Sequence, residues 1–147
     1  RHVADPAHPP RSVRVPAAAL EGFARAARLA MPGEACGLVL GRVDDGRLEV
    51  DRLVTTRNVA ETGAFDRFEV DPSVHLSLQR MLRGTDRAVI GCIHSHPSGP
   101  AEPSDEDSRS AVDANFLWLI FSVDQGLTAA WWHRGGGAFT PLTLDIL

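Results

Sequence analysis

The sequence predicts an α/β domain, and three features of its 147 residues indicate that class. Apolar runs of strand length recur at separated places along the chain. Two stretches with the apolar spacing of amphipathic helices lie between those runs. Turn residues separate the segments, so strands and helices follow one another along the chain. The chain is 44% hydrophobic and 23% charged, and it is long enough for one domain with its own core.

In the first half of the chain, a helical pattern follows a short strand. Pro16 suits the first turn of that helix, and the segment 31–33 (MPG) ends it. The segment 44–46 (DDG) predicts a hairpin turn between two strands. The predicted elements are a strand at 12–15, a helix at 16–30, strands at 36–41 and from 48 to about 58, and a strand at 65–70.

The second half begins with a strong helix start, because Asp71 suits the N-cap and Pro72 the first helical position. The run at 88–93 is apolar enough for a central strand of the sheet. The last strand contains Pro141, which favours an edge position. The predicted elements are helices at 71–83 and from 104 to about 114, and strands at 88–93, 116–123, 127–133 and 139–146.

Composition and charge exclude several classes of function. The net charge is −4 at pH 7, so no general attraction to nucleic acid or to an anionic membrane is expected. No apolar run reaches membrane-spanning length. Cys36 and Cys92 lie in apolar runs and predict buried, reduced thiols, which agrees with a cytoplasmic location. The proline-rich residues 1–11 predict a flexible N-terminal arm before a single domain at 12–147.

The stretch 90–107 carries the residues best suited to chemistry. His94 and His96 lie two residues apart at the end of an apolar strand, so their side chains project to the same side. A loop with three prolines follows at 97–103, and Ser104 then begins a helix with acidic residues in its first turn. Two imidazoles and one carboxylate form a plausible zinc ligand set. Four acidic residues are candidates for the third ligand: Glu102, Asp105, Glu106 and Asp107.

Each of these residues also has a simpler structural interpretation. Ser104 with Asp107 has the spacing of a helix cap with an acidic third residue. His94 and His96 taken alone fit hydrogen-bonded histidines at a strand end. Glu34, which precedes the apolar run at 36–41, fits a solvated turn residue. Their combination favours the metal site.

The spacing of these residues resembles a known family signature. The segment 94–97 (HSHP), then six residues, Ser104, two residues and Asp107 looks like the signature of the JAMM (MPN+, Mov34/PAD-1) zinc metallopeptidases. The segment 32–41 resembles the glutamate-bearing strand start of that family. The features that resemble its compact bacterial members are Asn58 and the segments 67–72 (RFEVDP) and 97–100 (PSGP).

The resemblance implies a role for each site residue. It implies that His94, His96 and Asp107 bind one zinc ion per chain. It implies that Glu34 hydrogen-bonds the zinc water as the general acid/base, and that Ser104 helps to stabilise the oxyanion. It also implies a three-layer, cytidine-deaminase-like (JAB/MPN) domain with a mixed central sheet flanked by helices. The residue between the two histidines acts only as a spacer in this interpretation.

The resemblance further implies hydrolysis of an amide or isopeptide bond after the C-terminal glycine of a ubiquitin-like or sulfur-carrier protein. Release of cysteine from a carrier adduct is the first expected reaction, and removal of a bacterial ubiquitin-like modifier from target proteins is the second. A narrow groove would accept the Gly-Gly tail, with residues 57–68 as the hypothetical edge for strand addition. A metal-free MPN interaction scaffold and a zinc hydrolase of small-molecule amides are the alternatives from other classes.

Overall fold

One mixed β-sheet organises residues 8–60 and 63–147, which are the residues described by this computed structural model. Seven strands and three helices occur within those ranges. In chain order they are β1 (Ser12–Val15), α1 (Ala17–Ala30), β2 (Cys36–Asp44), β3 (Arg47–Thr56), α2 (Pro72–Leu82), β4 (Ala88–His96), α3 (Asp105–Ser110), β5 (Phe116–Ser122), β6 (Leu127–Gly135) and β7 (Ala138–Ile146).

The strands follow the order β1-β3-β2-β4-β5-β6-β7, and the sheet closes because β1 also pairs with β7. β4 lies between antiparallel β2 and parallel β5, which confirms its predicted central position. Gly91 allows the close approach of β4 and β5, since a Cβ there would lie 2.2 Å from the Leu117 carbonyl oxygen. The end of β4, which carries the two predicted histidine ligands, is thereby fixed by a neighbour on each side.

The helices pack on two separate apolar clusters. The buried face of α1, which includes Phe23 and Ala27, packs in the main cluster with residues of most strands. Val74 and Leu78 of α2 pack against a smaller cluster that contains Leu38. None of the helices within 8–60 and 63–147 is long and apolar enough to span a bilayer.

Several predicted boundaries are confirmed. Asp71 is the N-cap of α2, and its side chain accepts a hydrogen bond from the Ser73 N–H at 3.0 Å. The β2–β3 hairpin turns through Asp45 and Gly46, which have φ values of 51° and 77°.

Arg11, the last residue of the predicted arm, is hydrogen-bonded at the sheet, because its N–H donates to the Gly46 carbonyl at 3.0 Å. Most of the predicted arm, residues 1–7, lies outside the described residues.

Three predictions about elements are wrong. Residues 65–70 do not form a strand; a single bridge pairs Asn58 with Val70. The helix from Ser104 ends at Ser110 rather than near 114, because Ala111 takes an extended conformation with φ of −65° and ψ of 126°. β7 is not an edge strand, since β1 pairs with it in parallel register.

Candidate metal centre

The end of β4 and the start of α3 bring His94, His96 and Asp107 together. All three side chains are buried, with exposed fractions of 0%, 7% and 1%. The Nε2 atoms of the two histidines are 3.1 Å apart. Asp107 Oδ2 lies 3.1 Å from Nε2 of His94 and 3.0 Å from Nε2 of His96. The structure thus gathers the two predicted histidines with one of the four acidic candidates.

The three atoms have the spacing of a tetrahedral metal site. Zinc bonds to nitrogen and oxygen are about 2.0–2.1 Å long, which places neighbouring ligand atoms roughly 3.3 Å apart. The observed separations of 3.0–3.1 Å approach that value. Two imidazole nitrogens and a carboxylate oxygen are also a donor set typical of zinc. The residues present therefore fit a single zinc ion.

Asp107 is held by the helix cap that the sequence predicts. Ser104 is the N-cap of α3, and its Oγ accepts a hydrogen bond from the Asp107 N–H at 3.0 Å. Asp107 Oδ2 in turn accepts from the Ser104 N–H, also at 3.0 Å. The same oxygen faces the two histidines. The capping box therefore orients the Asp107 carboxylate toward the two histidines.

The other acidic candidates lie elsewhere. Glu106 pairs with Arg109 at 3.3 Å and with Arg67 at 3.9 Å. Glu102 is exposed on the proline-rich loop, and Asp105 is exposed at the start of α3. Within 8–60 and 63–147, the group of His, Cys, Asp and Glu side chains with metal-ligand spacing contains Asp107 and none of these three.

The second ring nitrogens of the two histidines differ in their surroundings. Nδ1 of His96 lies 2.9 Å from the Pro100 carbonyl, so it carries the proton and leaves the Nε2 lone pair free for a metal. Nδ1 of His94 is buried and has no hydrogen-bond partner in the described part of the chain. The Phe68 ring instead stacks on the His94 ring, with centroids 4.2 Å apart and planes at 17°. Aromatic packing holds this imidazole.

Charge interactions within the trio set its protonation. Burial opposes ionisation of Asp107, but the contacts with His94 and His96 outweigh it and hold the carboxyl pKa well below its usual range. Burial lowers the pKa of His94. Burial acts in the same direction on His96, but its contacts with Asp107 and Pro100 raise its pKa overall. The trio thus offers an ionised carboxylate beside imidazoles.

Glu34 lies just before β2 and is buried, with 5% of its surface exposed. Burial, and next the negative charge of Asp107, raise the pKa of its carboxyl to about 8, while His96 acts in the opposite direction. Its Oε1 has no hydrogen-bond partner among residues 8–60 and 63–147. A buried carboxyl oxygen without a partner fits a site where a water molecule or a cation completes the set. The alternative interpretation of Glu34 as a solvated turn residue is thereby excluded.

Glu34, His96 and Ser104 share the wall of an open cavity of about 560 Å³. The rest of its wall is rich in proline and also contains Phe65 and Asp66. A second, mainly apolar cavity of about 700 Å³ lies under Phe68 and Trp118. The first cavity gives solvent and substrate access to the candidate centre.

Sequence reasoning missed the roles of three residues near the centre. The hydroxyl of Ser95 accepts a hydrogen bond from the Ala35 N–H, and the Asn58 amide donates to the Glu34 carbonyl. Phe68 covers the ring of His94. The motif offers no signal for Ser95 beyond its place between two histidines. Asn58 and Phe68 belong to segments that carry the family resemblance, but spacing alone assigns them no role.

The two cysteines stay outside the centre. Cys36 and Cys92 are free and buried, in agreement with the prediction of buried thiols. Burial raises the pKa of Cys36 to about 11 and that of Cys92 well above its usual value. Neither thiol is poised as a thiolate nucleophile or ligand.

Comparison with known proteins agrees with this geometry. The chain matches the family described as prokaryotic homologs of the JAB domain over residues 16–134. The chain belongs to this family of JAMM-type metalloproteases.

Its relatives include two curated proteins. A desampylase of Haloferax volcanii is 31% identical over 118 residues, covering 78% of this chain and 79% of that protein. A probable TtuB-protein conjugate cleaving protease of Thermus thermophilus is 32% identical over 79 residues, covering 54% of this chain and 52% of that protein.

Two solved structures share the fold. The solution structure of a protein from Desulfitobacterium hafniense has a TM-score of 0.79 at 28% identity, with 92% of each chain covered. A solution structure from Salinibacter ruber has a TM-score of 0.66 at 27% identity, covering 91% of this chain and 90% of that one. The mixed seven-stranded sheet with three helices is therefore the architecture of known bacterial proteins.

Proposed function

We propose that this protein is a zinc-dependent peptidase that hydrolyses the amide or isopeptide bond after the C-terminal glycine of a ubiquitin-like or sulfur-carrier protein. His94, His96 and Asp107 hold one zinc ion per chain in this proposal. One observation carries it: three buried ligand atoms converge at 3.0–3.1 Å, and the nearby Glu34 has a buried oxygen without a hydrogen-bond partner among residues 8–60 and 63–147.

The proposed fold class is the three-layer, cytidine-deaminase-like JAB/MPN domain, with residues 12–147 as one unit. The separate apolar clusters under α1 and α2 support helices on two sides of the sheet. The protein acts in the cytoplasm in this proposal, which agrees with its two free, buried thiols.

Glu34 moves the proton. Zinc bound by the trio would lower the pKa of a water molecule from about 15.7 towards 7 and polarise the scissile carbonyl. Glu34 faces the same cavity as His96, and burial raises the pKa of its carboxyl, so it exchanges a proton closer to neutral pH than an exposed glutamate does. Glu34 takes the proton from the attacking water and delivers it to the leaving amine.

Ser104 stabilises the negative charge that develops on the carbonyl oxygen. Its Oγ already accepts a hydrogen bond from the Asp107 N–H, and this leaves the hydroxyl proton free to donate into the cavity. A donor fixed by a helix cap requires little reorganisation during the reaction. Ser104 would therefore both position Asp107 and act on the substrate.

The open cavity suits the Gly-Gly tail of the substrate. Four prolines and Phe65 form much of its wall, and proline restricts the backbone there, so the cavity can serve as a channel next to His96. Glycines pass such a channel because they carry no side chain. The segment 57–68 borders it through Phe65 and Asp66, which supports its role at the tail, although Asn58 and Val70 form only one bridge.

The names of the relatives favour one substrate class. The Thermus thermophilus protein is named for the cleavage of TtuB-protein conjugates. Removal of a ubiquitin-like modifier from a target protein is therefore the reaction that we expect first, and release of cysteine from a carrier adduct is the alternative. Both reactions break the same bond and differ in the leaving amine.

Intact mass spectrometry tests the proposal. Two substrates would be incubated with the zinc-loaded protein: a Gly-Gly-ending ubiquitin-like protein joined to a lysine ε-amine, and the same protein with a C-terminal cysteine adduct. We expect loss of the lysine-linked mass with wild type and not with the Glu34→Gln variant. Cleavage of the cysteine adduct alone would select the carrier reaction.

Cleavage by both proteins at equal rates would contradict the role of Glu34. No cleavage of either substrate, with less than stoichiometric zinc, would favour the interaction scaffold. Cleavage of a small amide without any carrier protein would favour the small-molecule hydrolase.

A further inference from the structure

The peptide unit that follows Glu34 is held from both sides by side chains. Its carbonyl, on Glu34, accepts a hydrogen bond from Asn58 Nδ2 at 3.0 Å. Its N–H, on Ala35, donates to Ser95 Oγ at 2.9 Å. β2 begins only at Cys36, so this peptide precedes the paired part of the strand. Two side chains therefore take the place of the strand ladder at this peptide.

Both side chains are themselves fixed. Ser95 is fully buried in β4, and its own N–H donates to the Ala35 carbonyl at 3.0 Å. Asn58 Nδ2 also donates to the Arg67 carbonyl at 3.2 Å. Asn58 Oδ1 accepts from two backbone N–H groups, those of Ala60 at 3.0 Å and Glu69 at 2.9 Å. Two parts of the chain that are far apart in sequence thus meet rigidly at one peptide.

The backbone has to aim the Glu34 carboxylate. The buried Oε1 has no hydrogen-bond partner among the described residues, so no such bond fixes that oxygen directly. The orientation of the Glu34–Ala35 peptide sets the direction in which the side chain leaves the backbone. Ser95 also lies between His94 and His96, so its hydroxyl fixes this peptide relative to both histidines.

We propose that Ser95 and Asn58 are positioning residues that clamp the Glu34–Ala35 peptide and thereby aim the Glu34 carboxylate at the reacting atoms. This inference rests on the acid/base role proposed for Glu34. A misplacement of about 1 Å in a reacting group can cost about 100-fold in rate. Loss of one clamp bond should therefore lower the turnover number more than it changes substrate binding.

The kinetic test compares Ser95→Ala and Asn58→Ala with Ser95→Thr, which keeps the hydroxyl. Val13→Ala is the stability control, because Val13 is buried in β1, whose neighbours β3 and β7 carry none of the proposed site residues. We expect Ser95→Ala to lower kcat by about 10- to 100-fold, with KM within about threefold of wild type and one zinc per chain. Ser95→Thr should restore most of kcat, and Val13→Ala should keep it despite a lower Tm.

Unchanged kcat in both alanine variants would overturn the clamp, as would a loss of kcat that only follows a loss of zinc. If threonine is too large for the buried site of Ser95, Asn58→Ala still tests the clamp, because it removes the other hydrogen bond to the Glu34–Ala35 peptide. Wild type and Glu34→Gln are measured in parallel. An inactive wild type would show that the proposed function fails, which is distinct from a failure of the clamp.

A second test of the clamp needs no catalytic activity, so it applies even when the wild type is inactive. Amide hydrogen exchange by NMR would be followed at Ala35, together with the Hα–Hβ couplings of Glu34. The clamp predicts exchange at Ala35 about tenfold faster or more in Ser95→Ala, and rotamer averaging at Glu34. An Ala35 amide that stays equally protected, with one Glu34 rotamer, would overturn it.

Discussion

Two groups of buried histidine lie in the same sheet and have opposite relations to their surroundings. His133 in β6 is fully buried; its Nδ1 lies 2.6 Å from the Asp113 carbonyl, and its Nε2 accepts from the Gly137 N–H at 3.0 Å. His94 and His96 in β4 are also buried, but their Nε2 atoms face each other at 3.1 Å. Both β4 rings also face one carboxylate oxygen.

The partners of the ring nitrogens distinguish a structural histidine from a functional one. The backbone satisfies both nitrogens of His133, so that ring needs nothing else. The β4 rings direct their Nε2 atoms at a point shared with an anionic oxygen, an arrangement that a cation completes. Burial is common to both groups; the identity of the partners distinguishes them.

The largest effect should come from His96→Ala. Loss of one ligand leaves two donors, which are too few for a stable zinc site. We expect zinc content to fall from one per chain to near zero and hydrolysis to fall to the uncatalysed rate. Elemental analysis after gel filtration measures the first, and His133→Ala is the matched control. Full zinc occupancy in His96→Ala would contradict the assignment of the β4 histidines as metal ligands.

The second effect concerns the stability of the metal-free protein. Burial raises the pKa of Glu34 from 4.5 to about 8, so the fold favours its neutral form. The stability that this raised pKa contributes is complete below pH 4.5 and is lost as the pH rises to about 8. Between pH 5 and 8, wild type should lose up to about 4 kcal/mol relative to Glu34→Gln, which does not titrate there.

Urea unfolding in the presence of a chelator at several pH values measures this difference. Parallel stability curves for the two proteins would show that Glu34 is not a buried carboxyl with a raised pKa. Because the two proteins share every other titrating group, those groups largely cancel in the comparison.

The third effect is the structural counterpart at His133. His133→Ala leaves the Asp113 carbonyl and the Gly137 N–H without their partner and opens a cavity beside Phe139. We expect a loss of about 3 kcal/mol in the free energy of unfolding, with zinc binding unchanged. Chemical denaturation and zinc titration measure the two quantities. Lost zinc affinity at unchanged stability would reverse the roles assigned to the two groups.

The smallest effect should come from Phe68→Leu. The Phe68 ring stacks on His94, whose Nδ1 lacks a hydrogen-bond partner within the described ranges. Removal of this packing should weaken zinc binding by about tenfold, as loss of other outer supports of metal ligands does. Competition with a chromophoric chelator measures the affinity. Equal affinities would assign Phe68 to the apolar cavity alone.

The sequence predicts the site better than it predicts the surrounding loops. The two histidines at a strand end and the acidic helix start are local features, but the choice of Asp107 among the four acidic candidates comes from the family resemblance. The partners of Glu34 are not local: Asn58 and Ser95 lie 24 and 60 residues from the groups they bind. Contacts of that separation leave no periodic pattern in a single sequence.

The errors in the fold have similar causes. The apolar content of 65–70 suggests a strand, but the Asn58 side chain takes up the Arg67 carbonyl and the Glu69 N–H that a ladder would use. Pro141 suggests an edge strand, yet β1 pairs with β7. Pairing between the two ends of the chain leaves no local signal.

X-ray absorption at the zinc edge of the loaded wild-type protein measures the ligand set of the proposed metal centre. We expect one zinc per chain with only nitrogen and oxygen ligands at about 2.0–2.2 Å, including the scattering pattern of two imidazoles. A sulfur shell at about 2.3 Å, which would place Cys36 or Cys92 on the metal, or a single imidazole, would contradict this ligand set.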